Sequence, residues 1–149
     1  MPPGAPGVGR YVFLEQIALA DCALRIDADG LADLFETGAA ALADLMVDPA
    51  TVPRSVERRI DLVAPRVDLL FYDWLSELIL RKDRDREVYP EARVQVTGAG
   101  PVTLQAQVRG GILDPPRTGL RADAKAVTFH RFRVEPAGTG WQAEVVIDI

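Results

Sequence analysis

The sequence predicts an α+β fold: a single-domain sandwich of mostly antiparallel strands with two main helices. Three observations lead to it. Two stretches repeat apolar residues at the helical spacing of three and four. The remaining apolar stretches alternate at the strand spacing of two, and several follow one another across short turns. A chain of 149 residues, 48% hydrophobic and 26% charged, is long enough for one sizeable core. The expected domain spans 11–149, behind a flexible tail at 1–10 whose MPPGAPGVG is too rich in Pro and Gly for a signal peptide.

Tyr11 to Leu14 and Ala20 to Ile26 are strand candidates, joined around Gln16 to Leu19. The turn DADG, Asp27 to Gly30, leads into an amphipathic helix carrying Leu31, Leu34, Phe35, Leu42, Leu45 and Met46, with Asp29 as its expected cap. Pro49 and Pro53 end it. Ile60, Leu62 and Ala64 alternate with Arg59, Asp61 and Val63 as a strand closed by Pro65. A second helix follows, marked by Val67, Leu70, Phe71, Trp74, Leu75, Leu78 and Ile79. The run RKDRDRE, Arg81 to Glu87, reads as a solvated helix end or loop, or else as an RNA-contacting patch.

Strands are expected at Ala92 to Thr97 and Val102 to Arg109 around a turn at Gly98 to Pro101, and Gly110 to Leu120 reads as loop. Lys125 to Val134 is the next strand, with Ala126, Thr128, His130, Phe132 and Val134 on one face and Val127, Phe129, Arg131 and Arg133 on the other. PAGTG, Pro136 to Gly140, joins it to a closing strand whose Trp141, Ala143, Val145, Ile147 and Ile149 alternate to the chain's last residue. Chain ends fray unless tied. A terminal carboxylate held beside Asp148 therefore needs a reason.

Charge and motifs narrow the function. A net charge of -5 supplies no basic field, so any role near RNA is expected to run indirectly, through a protein partner. The one cysteine, Cys22, excludes an internal disulfide and reads as a buried structural thiol of a reducing compartment. No apolar run approaches the roughly 18 to 20 residues that span a bilayer, so no membrane partner and a cytoplasmic location are expected. GxGxxG, P-loop, HExxH and GxSxG motifs are absent, which removes the main support for dinucleotide, phosphoryl-transfer and hydrolase chemistry. His130 is a core or edge histidine or a functional one, and Lys125 a solvated lysine or a contact residue. Asp148 and the terminal carboxylate are hard oxygen ligands, suited to calcium or magnesium, or form a plain exposed strand end.

Several segments together resemble the archease family, partners of the RNA ligase called RtcB. KAVTFHRFRVEPAGTGWQAEVVIDI, Lys125 to Ile149, is similar to the family's closing Lys-Ala-Val-Thr-Tyr-His, hairpin and terminal strand ending in Asp-Ile or Asp-Val. LLFYDWLSELIL, Leu69 to Leu80, is similar to the central helix of the form Asp-Trp-Leu-Asn-Glu-Leu-Leu. ADCALRI, LADLFETGAAALADLMVDP and LDPPRTGLRADAKA agree in family order.

The resemblance implies a non-enzymatic activator that helps RtcB become guanylylated and turn over in tRNA splicing or RNA repair. It implies a divalent cation, calcium first and magnesium or manganese as alternatives, held by Asp21, Asp148 and the terminal carboxylate of Ile149. Lys125 matches a family lysine important for activation, and His130 joins it as an expected contact to partner or nucleotide. Ala18-Leu19-Ala20-Asp21 stands where the family has His-Thr-Ala-Asp, Thr118 replaces a frequent His, and Asp123 replaces a Glu. The oxygen ligands remain while their surroundings change. A chaperone or adaptor for another nucleic-acid enzyme would share fold and charge without needing a cation, and a small-molecule enzyme would need an enclosed pocket around His130 or Lys125.

Overall fold

The computed structural model describes residues 9–14 and 21–149, so residues 1–8 of the expected tail and the connection at Gln16 to Leu19 lie outside the described residues. Among the described residues, seven strands and two long helices follow one another as β1 (Arg10–Phe13), β2 (Asp21–Ala28), α1 (Leu31–Met46), β3 (Val56–Ala64), α2 (Val67–Asp85), β4 (Glu87–Thr97), β5 (Val102–Ile112), β6 (Ala126–Ala137) and β7 (Gly140–Asp148). A single 3₁₀ turn, Pro49–Thr51, follows α1. The strands form two sheets, ordered β1-β2-β7-β6 and β3-β5-β4, and every pairing is antiparallel. This is the predicted α+β class.

The helices join the sheets. α1 packs on β1, β2 and β7 of one sheet and on β4 of the other, while α2 packs on β6 and on β3, β4 and β5. One apolar cluster therefore fills the molecule, with Trp74, Phe35, Phe71, Leu24, Ile26, Leu104 and Ile147 fully buried. Phe35 and Phe71 meet edge to face, with ring centroids 5.1 Å apart. Such a pair adds about 0.5–1.5 kcal/mol to the burial of its rings. The buried Trp74 indole N–H donates to the Phe35 carbonyl at 2.8 Å, which satisfies the one polar group on that ring. Gly38 permits this packing: a β-carbon there would stand 2.9 Å from the Phe71 ring.

Several expectations are corrected. Asp29 does not cap α1: Gly30 takes the cap position with an extended backbone and no side-chain bond, and Asp33 supplies the first-turn acid that favours the helix dipole. Arg81 to Asp85 continue α2 as helix, and Arg86 (φ 59°) ends it in the left-handed region. β4 then begins at Glu87, five residues before the expected Ala92. Within the supposedly solvated run, Lys82 and Glu87 are buried. Gly110 and Gly111 belong to β5 rather than to a loop. A β-carbon on Gly110 would lie 1.8 Å from the Val88 carbonyl oxygen, so the close approach of the strands at an irregularity in β4 requires glycine there.

The expected faces of β6 also change. Val127 pairs with Ile147 and Val134 with Ala143, but Phe129 to Phe132 stand opposite Val145 alone. Before this wide bulge Val127 is buried and Ala126 exposed in regular alternation; within it Phe129 and His130 are exposed and Arg131 takes a φ of 55°. The hairpin after it forms as expected, closing at Ala137 and Gly140 with Gly138 at positive φ.

Candidate metal centre

Alternation places the acids. Cys22, Leu24 and Ile26 of β2 share a face, as do Ala143, Val145 and Ile147 of β7, so Asp21 and Asp148 project from the opposite face of the sheet. Register then makes Asp21 and Asp148 direct cross-strand partners, at the first residue of β2 and the last of β7. Like charges directly opposite one another destabilise a sheet. The Asp21 carboxyl stands above its usual range, first because it shares a hydrogen bond with Asp148, then through burial and the charge of Asp148. The charge of His130 works in the other direction.

The other expected residues gather around this pair. The Lys125 backbone N–H donates to the Asp148 carbonyl at 2.7 Å, and Ala126 is the partner of Asp148 across β6. The side chain of Lys125 is exposed. His130 is exposed on the β6 bulge, which makes it an edge histidine rather than a core one. Asp148 is held by strand pairing on both sides, and Ile149 beyond it packs its side chain partly against the core. Cys22, the next residue after Asp21, is half-buried rather than buried, and burial raises its thiol above the ordinary value. It is an unreactive thiol by that measure.

The donor set has a definite character. Among the described residues, no group of three or more His, Cys, Asp or Glu side chains is arranged to hold a metal ion. Two carboxylates plus a chain-terminal one form an all-oxygen set, which suits calcium or magnesium and leaves positions for water or a partner's oxygens. Two carboxylates set directly opposite each other across β2 and β7 are acceptors that a hard divalent ion would satisfy together, so the residues present fit such an ion.

Sequence reasoning passed over what supports this corner. Lys82, on α2, donates from Nζ to Asp123 and, at 2.7 Å, to the Ala124 carbonyl, immediately before Lys125. On the bulge, Phe129 stacks on Tyr72 of α2 at 4.2 Å between ring centroids, and Phe132 meets both rings edge-on. The i, i+3 pattern of Phe129 and Phe132 was visible in the sequence, but its meaning depends on the bulge. A cavity of about 830 Å³ lies elsewhere, lined by Tyr11, Glu36, Arg59, Arg93, Gln107 and Arg109 among others, and includes neither His130 nor Lys125.

Fold and site together define a small α+β protein with an acidic pair fixed at a sheet end. The comparisons make the class specific. Residues 11–149 match the model of the Archease protein family (MTH1598/TM1083). The chain is 30% identical to the protein archease of Methanosarcina acetivorans over 142 residues, covering 94% of this chain and 96% of that one. It is 32% identical to the archease of Methanopyrus kandleri over 131 residues, covering 87% and 94% respectively. The solution structure of Methanobacterium thermoautotrophicum protein 1598 superposes with a TM-score of 0.77 at 25% identity, covering 93% of this chain and 98% of that one. The chain belongs to the archease family. No described helix is long and apolar enough to cross a membrane.

Proposed function

We propose that this protein is a non-enzymatic cofactor of the RNA ligase RtcB, promoting its guanylylation and repeated turnover through a cation-bearing acidic edge. The observation that supports this best is the Asp21–Asp148 pair, two acids placed face to face at a fixed chain end. Membership of the archease family supports the choice of partner.

In this reading Asp21, Asp148 and the Ile149 carboxylate hold the divalent ion, calcium first, with magnesium or manganese as substitutes. The bound ion would present positive charge to phosphate or carboxylate oxygens of the partner. Pairing to β2 and β6 keeps Asp148 in place, so little ordering is needed when the edge docks. Lys125, exposed beside Asp148, offers a cation to the ligase or its nucleotide, and exposed His130 offers a donor on the same side. RNA is reached only through the ligase, in keeping with the net charge of -5.

The test is multiple-turnover RNA ligation by the cognate RtcB at limiting ligase. Wild-type protein raises the number of turnovers and a folded Asp148→Asn variant does not. Full stimulation by Asp148→Asn removes the cation from the account. No stimulation by the wild type, with the ligase active alone, favours an adaptor for a different nucleic-acid enzyme.

A further inference from the structure

Lys82 is 7% exposed, near the C-terminal end of α2. A lysine ammonium has three N–H donors; here it donates to Asp123 and, at 2.7 Å, to the Ala124 carbonyl, and forms an ion pair with Asp83 at 2.6 Å. Burial works against the charge, and the hydrogen bonds of Asp123 and Asp83 outweigh it, so the ammonium is held above the ordinary lysine pKa. An apolar side chain of similar volume would fill the same space without a desolvation cost. What the charge adds is direction.

That direction leads to the acidic corner. Arg121 and Ala122 are already tied to the end of α1, their N–H groups donating to Met46 and Leu45 carbonyls at 2.8 and 3.1 Å. Lys82 then fixes Asp123 and the fully buried Ala124 from α2, and the next N–H, that of Lys125, is the one donated to Asp148. From this we infer that Lys82 is a positioning residue: it holds residues 123–125 so that β6 stays registered on Asp148 and the acidic pair keeps the spacing a cation needs. The inference rests on the proposed cation site, but its first link, Lys82 to Lys125, stands without it.

The test uses the full chain as Lys82→Met, which keeps the buried stem and removes the donors, with two readouts. In amide hydrogen exchange, the Lys125 N–H of the variant loses protection while Leu104 and Ala106 of β5 keep theirs. In calorimetric titration with calcium chloride, the variant binds about 10-fold or more weakly than wild type. Asp83→Asn, whose carboxylate is not on the segment, leaves both readouts close to wild type. A folded Lys82→Met with wild-type exchange at Lys125 and wild-type calcium affinity overturns the inference. If wild type itself binds no calcium, the cation site fails, and the Lys125 exchange still decides the positioning role alone. Should Lys82→Met not fold, Asp123→Asn weakens the same strut from its exposed side and is read the same way.

Discussion

Asp21 and Glu87 each begin a strand, and their surroundings move them in opposite directions. Glu87 is buried, yet its carboxyl is held below the usual glutamate range, first by its hydrogen bonds with Arg58 and then, against the effect of burial, by the Tyr89 hydroxyl. The Arg58 guanidinium grips it with two bonds of 3.1 and 2.9 Å, and the Tyr89 hydroxyl donates to it at 2.5 Å. Asp21 meets another acid instead and is pushed up. The first arrangement is complete in itself and stabilises the junction of α2 and β4. The second has no salt-bridge partner among the described residues, and a sheet that sets two acids opposite each other accepts a local cost. Under the proposed function, the difference separates a charge placed for folding from a charge placed for a cation.

The comparison can be broken most forcefully on the matched side. Glu87→Ala removes both Arg58 bonds and the acceptor of a buried tyrosine hydroxyl, so a loss of about 2 kcal/mol is expected. Urea unfolding should show a lower midpoint at an unchanged slope. A wild-type midpoint would mean that the buried pair contributes nothing net.

Acid titration sharpens the contrast, because the signs differ. The lowered pKa of Glu87 gives a contribution present above the unfolded glutamate value, about 4.3, and lost as pH falls through the folded value beneath it. The raised pKa of Asp21 gives a contribution present below the unfolded aspartate value, about 3.9, and lost as pH rises through the folded value above it. Without a cation, urea midpoints should rise modestly on acidification from neutral pH and then fall below about pH 4. Glu87→Ala should blunt the fall, and Asp148→Asn should remove the rise. The smallest expected effect is that of Asp148→Asn at neutral pH without a cation, a slight increase in melting temperature. A clear decrease would mark Asp148 as a structural residue.

Both sites were unequally legible in the sequence. The stripe from Val67 to Ile79 and the alternation from Trp141 to Ile147 were plain, since each period reflects one buried face. The turn at Gly138 was equally readable. The matched cluster was not: RKDRDRE shows alternating signs, but a sequence does not reveal that Lys82 turns toward Asp123 or that Glu87 meets Arg58 across 29 residues. Gly110 and Gly111 read as loop because the pattern carries no record of the β4 backbone pressing on the first or of Pro53 pressing on the second. The faces of β6 were misassigned beyond Thr128 because Phe129 to Phe132 oppose a single residue, which breaks a strict period of two. Asp148 and the terminal carboxylate of Ile149 were legible as candidate oxygen ligands, Asp21 joined them through the family resemblance, and the register of β2 on β7 gives the Asp21–Asp148 pair its geometry.

The central claim is that Asp21 and Asp148 face each other in order to share a cation. The most direct test is the melting temperature of the wild type and of Asp148→Asn at neutral pH, with and without calcium. An ion that binds only the folded state stabilises it by about 2.7 kcal/mol at one hundred times its dissociation constant. The account predicts a calcium-dependent rise of several degrees in the wild type and none in the variant. Equal curves for the wild type with and without calcium, repeated with magnesium and manganese, would contradict it.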